Sequence, residues 1–137
     1  MAARPRVFTY DVSVDDAWVA RSGKGGTDIP NEEEAWTPEH LLLAGLGRCV
    51  LTSFRFHARR AGLEPRSRAS AHGVVTRRES DGRFALVEAT VDIGVELDPF
   101  PDGIREVIAK GERDCFVGAS LTVEPSYRWT VNGEEIP

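Results

Sequence analysis

The rhythm of hydrophobic and polar residues changes several times along this chain, and each change marks an element. Residues 6–14 alternate apolar and polar side chains, the period of a half-buried strand. Residues 18–21 predict a short second strand, closed by the turn-rich run Ser22-Gly23-Lys24-Gly25-Gly26. Asp28-Ile29-Pro30 adds a brief third strand before the acidic run Glu32-Glu33-Glu34. Thr37-Pro38-Glu39 then carries three helix-start signals: a hydroxyl to cap, a proline for the first helical position and a carboxylate for the positive end of the dipole. Leu41, Leu42, Leu43, Ala44, Leu46, Val50, Leu51 and Phe54 cover nearly every side of the helix that follows, which predicts burial all round. Gly45 and Gly47 interrupt it, each costing about 1 kcal/mol against alanine. A closely packed neighbour, such as a second copy of the helix, would account for that cost. Gly62 is the natural stop.

Residues 67–78 and 83–97 are strand-like, with Ser80-Asp81-Gly82 as the hairpin turn between them. Val87, Ala89, Val91, Ile93 and Val95 fall on one face of the second of these strands. Pro99 and Pro101 break the chain, and Asp102 is placed to cap a second helix running from Gly103 towards Lys110 or Glu112. A short turn over residues 117–121 leads into a last strand over residues 122–131. Strands, long helix, hairpin, helix and strand make an α+β order. No internal repeat is visible, and 137 residues fit a single domain, residues 1–137.

Charge narrows the partners. Seventeen basic against twenty-two acidic residues give a net charge of -5, which argues against nucleic acid or an anionic membrane surface. The pairs Arg59-Arg60 and Arg77-Arg78 read as solvated faces. The opening MAARPRVFTYDV has no apolar core and is not a secretory signal. The most apolar stretch, residues 41–51, contains Arg48 and falls short of the roughly twenty residues that span a bilayer. The expected location is cytoplasmic, where two cysteines are free, catalytic or redox-sensing rather than a permanent staple.

Cys49 lies within the long helix and Cys115 after the second one. Read from residues alone, they are either small buried hydrophobes or a redox pair. His40, His57 and His72 show no zinc-ligand spacing with them, and no cofactor is implied. A cysteine-protease arrangement would need a histidine base brought in by the fold, which leaves His57 and His72 open. Gly45-Leu46-Gly47 follows no strand and is not a nucleotide loop.

The stretch TPEHLLLAGLGRC, Thr37 to Cys49, resembles the signature of the OsmC/Ohr family of peroxide-detoxifying proteins. In that family a proline-glutamate pair opens a long central helix, with the reactive cysteine ten residues after the glutamate; Glu39 and Cys49 keep the spacing. GERDCFVGASLTVEPSYRW, Gly111 to Trp129, is similar to the second family motif, with Phe116 where a proline is usual. The resemblance implies antiparallel sheets wrapped around a long central helix in an intertwined homodimer. It implies a peroxidatic Cys49, a resolving Cys115, and an arginine held by Glu39 that lowers the Cys49 pKa, for which Arg21 is the candidate ahead of Arg48. Ten helical residues rise about 15 Å, so Glu39 and Cys49 of one helix cannot share a site; if both serve one thiolate, Glu39 comes from another subunit or acts through a long arginine.

The leading expectation is a thiol peroxidase for organic hydroperoxides in oxidative-stress defence, without metal, haem or flavin. An external dithiol, in the family a lipoylated protein or small thiol donor, would recycle it. Leu46, Val50, Phe54 and Phe56 are expected to give the site an apolar lining. The alternatives are a redox sensor or thiol-bearing binding protein without turnover, and a fold of this family that has lost its chemistry.

Overall fold

The computed structural model describes residues 7–16, 19–30, 35–98 and 100–137. Arg6, Trp18, the Glu32-Glu33-Glu34 run and Pro99 lie outside the described residues, and so do the expectations that rest on them. Two compact units emerge, Met1–Leu41 and Leu42–Pro137.

In the first unit β1 (Val12–Val14), β2 (Val19–Ser22) and β3 (Ile29–Pro30) form an antiparallel sheet in that order. Val12 faces Ser22, and Ala20 faces Ile29. β1 is shorter than the alternation predicts, and all three of its residues are exposed. β2 offers only four residues to pair with, and pairing rather than pattern sets the length of the strand. The long helix α1 (Pro38–Arg60) starts at the expected cap. The Thr37 hydroxyl and His40 Nδ1 are 2.7 Å apart, the His40 N–H donates back to Thr37 Oγ1 at 3.4 Å, and the Thr37 N–H donates to His40 Nδ1 at 3.2 Å. This is the reciprocal capping box with histidine in the place of glutamate.

The second unit pairs the rest of α1 with a four-stranded sheet ordered β4 (Arg66–Arg77), β5 (Phe84–Glu96), β6 (Ser126–Val131), β7 (Glu134–Ile136). Between β5 and β6 come α2 (Ile104–Arg113) and α3 (Phe116–Ser120). The β4–β5 hairpin turns where expected: Arg78 Nη2 meets Asp81 Oδ2 at 2.6 Å, and Gly82 takes a left-handed φ of 69°. The sheet is mixed rather than antiparallel, because β6 runs parallel to β5. A parallel neighbour needs a helical crossover, and α2 with α3 supplies it. The last strand begins at Ser126 instead of residue 122, just past Pro125, which has no N–H to give a ladder. β7 was not foreseen, although Asn132-Gly133, with φ 52° and 79°, is a strong hairpin signal.

Three other expectations change. Val74 faces Glu88 while Val75 faces Leu86, so Val87 is the extra residue of a bulge. Val87 is therefore 37% exposed, and Leu86 takes the inward place beside Ala89, Val91, Ile93 and Val95. Asp102 does not cap α2: Gly103, at φ 74°, holds the cap position with no side-chain bond. Within this chain α1 is buried along one stripe rather than all round. Leu46, Val50, Phe54 and Ala58, each four residues on from the last, are buried, while Leu41, Leu42 and Ala44 are exposed. One sheet covers one side of a helix. Gly47 backs onto Ala69, and a side chain at Gly45 would meet nothing within 4 Å.

The core closes where α2 crosses α1. Ile104, Val107 and Ile108 bury the inner face of α2, and Gly111 continues that face one turn on. A Cβ at Gly111 would lie 3.1 Å from Phe54 Cα and 3.3 Å from Phe54 Cβ. The Phe54 ring in turn tilts against Trp129 at 5.0 Å between centroids. Helix propensity alone favours Gly111→Ala by about 1 kcal/mol. The clash is with backbone, which cannot swing away, so we expect Gly111→Ala to destabilise by about 1–3 kcal/mol, as a lower urea midpoint at unchanged slope.

Candidate active site

Cys49 is half-buried on α1, one residue before the core position Val50, and Cys115 is the buried N-cap residue of α3 at φ -71°, ψ 101°. Both are free thiols. The crossing of α1 and α2 brings them together from 66 residues apart in sequence. The Val117 N–H points at Cys49 Sγ from 3.5 Å. Burial pushes the Cys115 thiol up, against the Gly118 N–H and the Tyr127 hydroxyl, which hydrogen-bond to its sulfur and pull it down. A negative charge on Cys49, and the hydrogen bond between the two cysteines, raise Cys115 further. Burial therefore favours the protonated form of the Cys115 thiol. Tyr127 is itself pushed up, first by burial and then by its bond to Cys115. Two thiols near enough to act on each other's ionisation, one more accessible than the other, can be oxidised in sequence and joined as a disulfide.

The approach to Cys115 is fixed on both sides. Trp129 Nε1 donates to Glu112 Oε1 at 2.8 Å, which ties the end of α2 to β6. His57, two turns beyond Cys49 on α1, lies with Nε2 2.7 Å from Asp114 Oδ2. Arg113 holds the same carboxylate with two bonds of 2.9 Å. The Arg113 guanidinium and then His57 hold the Asp114 carboxyl down at about 2. The residue before Cys115 is thus pinned to the helix that carries Cys49.

The other expected site residues sit as follows. Glu39 is exposed in the first turn of α1, its carboxyl held below the usual range by its own backbone N–H and the Thr37 hydroxyl. Arg21 lies on β2, where Asp15 at 2.6 Å and Asp28 at 3.4 Å hold its guanidinium and push its pKa up. Arg48 is exposed and bonds to the Thr52 hydroxyl one turn along. The apolar lining expected of Leu46, Val50, Phe54 and Phe56 is corrected. The first three are fully buried core on the sheet side, and Phe56, 56% exposed, is off that stripe. Phe116, where the family pattern has proline, is 72% exposed. The sequence reading missed Tyr127. Its signal was the period of two in Tyr127, Trp129 and Val131, which puts two polar-tipped aromatic rings on the inner face of β6. Among the described residues no group of three or more metal-ligating side chains occurs, and no helix is long and apolar enough to cross a membrane.

The family model described as OsmC-like protein matches residues 30–130. No curated protein matches the chain. Among solved structures, an OsmC-like protein of unknown function from Vibrio cholerae is similar at a TM-score of 0.72 and 12% identity, over 90% of this chain and 100% of that one. An OsmC-like protein from Mycoplasma pneumoniae gives 0.71 and 15% over 93% and 99% of the two chains. The organic hydroperoxide resistance protein OhrB of Bacillus subtilis gives 0.61 and 20% over 91% and 98%. At these identities the likeness is one of fold.

The carboxyl of Asp114 yields a prediction with a definite sign. Its folded pKa, about 2, lies below the ordinary 3.8, so its stabilisation is complete above the ordinary value and fades as pH falls towards the folded one. Asp114→Asn should unfold more readily than wild type near neutral pH. The two should converge in acid denaturation followed by circular dichroism as the pH nears about 2.

Proposed function

The chain belongs to the OsmC-like protein family, and on that premise we propose that it reduces organic hydroperoxides with its own thiols. The observation that carries this reading is the meeting of two free thiols at the crossing of α1 and α2, Cys115 buried and Cys49 the more accessible sulfur. The solved structure of an organic hydroperoxide resistance protein on the same fold supports the choice of substrate.

In the first step the Cys49 thiolate attacks the outer oxygen of the hydroperoxide. The O–O bond breaks, the leaving alkoxide takes a proton from water to become the alcohol, and Cys49, now bonded to the outer O–H, becomes a sulfenic acid. Cys115 then attacks that sulfur, the S–O bond breaks, and water leaves as the disulfide forms. Val117, whose N–H already faces Cys49 Sγ, offers a fixed donor to the charge on that atom. An external dithiol, a lipoylated protein or small thiol donor, returns both cysteines to thiols and is itself oxidised to a disulfide. No metal, haem or flavin takes part.

The family pattern adds Arg21 as the cation that activates Cys49 and Glu39 as the group that holds it. These two assignments rest on that pattern and not on the geometry described above. The rise of α1, about 15 Å over ten residues, supports an intertwined homodimer in which a second copy completes the site. The role in this reading is oxidative-stress defence within a reducing compartment.

The test is consumption of an alkyl hydroperoxide with dithiothreitol as reductant. Wild type should turn over. Cys49→Ser should lose essentially all activity, and Cys115→Ser, oxidised in the absence of reductant, should stop at a Cys49 sulfenic acid with no disulfide seen by mass. Full activity in Cys49→Ser would overturn the reading. A single stoichiometric oxidation without turnover would replace it with a redox sensor.

A further inference from the structure

Cys115 is only 1% exposed, yet the cycle proposed above twice requires its sulfur to carry negative charge. It does so once as it attacks the oxidised Cys49, and again as it leaves when the disulfide is reduced. Charge on a buried sulfur needs donors that already point at it. The chain supplies two, the Gly118 N–H and the Tyr127 hydroxyl.

Position 118 shows how closely these groups are set. A Cβ built there would overlap Tyr127 Oη and lie 3.5 Å from Cys115 Sγ. One small space beside the backbone of α3 therefore holds both the hydroxyl and the sulfur, and it exists because residue 118 is glycine. On its other side Tyr127 lines an open cavity of about 380 Å³, together with Glu112, Arg113, Gly118 and Glu124. Cys115 does not line that cavity. The phenol is thus the group that stands between the buried sulfur and a space open to water.

We propose that Tyr127 is a catalytic residue of this site: its hydroxyl donates to Cys115 Sγ as that sulfur becomes a thiolate and passes the proton between it and the cavity. The inference rests on the thiol-peroxidase reading. When the disulfide closes, the S–S bond forms and the S–O bond of Cys49 breaks. The Cys115 proton is balanced by the one taken up by the departing hydroxide, which leaves as water. When the dithiol attacks Cys49, the accessible sulfur, the electron pair of the S–S bond moves to Cys115. That thiolate is held by Tyr127 and Gly118 until it is protonated. The second thiol of the reductant then displaces Cys49 from the mixed disulfide. The charged or titratable groups acting on the phenol are Cys115, Glu112 and Cys49, and Glu112 is occupied by the indole of Trp129.

Tyr127→Phe keeps the ring and removes only the oxygen. With tert-butyl hydroperoxide as oxidant and dithiothreitol as reductant, sulfenic acid formation at Cys49 should keep its wild-type rate. Disulfide closure and disulfide reduction should each slow about ten-fold, the scale of one hydrogen bond to a charged group. The pH midpoint of closure should move upward. Gly118→Ala, which retains the phenol but pushes its oxygen away, should slow the same two steps, and the double variant should be no slower than either single one. Closure at the wild-type rate and pH midpoint in Tyr127→Phe, while wild type closes normally, would overturn this inference alone. So would an equal loss in all three steps, the mark of a structural role. A wild type that forms no disulfide with the hydroperoxide would overturn both this inference and the reading beneath it.

Discussion

The second unit depends on a contact between a glycine and a helix backbone. Gly111 lets α2 close on Phe54 until a Cβ would stand 3.1 Å from its Cα. The Phe54 ring rests on Trp129, and the Trp129 indole holds Glu112, the neighbour of that glycine. Three elements are locked to one another around a single aromatic side chain. Cys49 lies five residues before that side chain on α1, and Cys115 four residues after Gly111. Neither cysteine brings the other into place; the crossing does.

The crossing also explains why two chemically identical side chains differ so much. Cys115 stands where α2 ends and α3 begins, roofed by β6, and desolvation is the largest influence on it. Cys49 is on the flank of α1, just off the stripe that faces the sheet, and stays partly accessible. The asymmetry comes from the angle between two helices and from their places in the layers. The charged cluster of His57, Arg113 and Asp114 then limits how far the Cys115 end can drift from α1.

Much of this was legible in the residues. The start of α1, the hairpin at residues 80–82 and the α+β order follow from caps, turns and periods, which are local. What could not be read depended on partners. All-round apolar character in α1 became one buried stripe because a single sheet lies on one side of it. Val87 left the inner face because the two strands slip by one residue, and pairing register is not written in one strand alone. The parallel placement of β6 required knowing which way α2 and α3 return the chain. At the site, the cysteines were legible through a motif. Tyr127 was not, because its importance lies in an empty place at position 118, nine residues earlier.

Asn132 carries two unrelated duties at once. Its backbone is left-handed at φ 52°, as the β6–β7 turn requires. Its side-chain amide meanwhile accepts from the Leu97 N–H at 2.9 Å and donates to the Leu97 carbonyl at 2.7 Å. The end of β5 is thereby finished by a side chain that imitates one more residue of neighbouring strand. Glycine would satisfy the turn but leave Leu97 unpaired, aspartate could accept but not donate, and a longer amide would meet both bonds at a backbone cost. Substitution at this one position would thus be filtered by backbone shape and by hydrogen-bond polarity independently, and few side chains pass both filters.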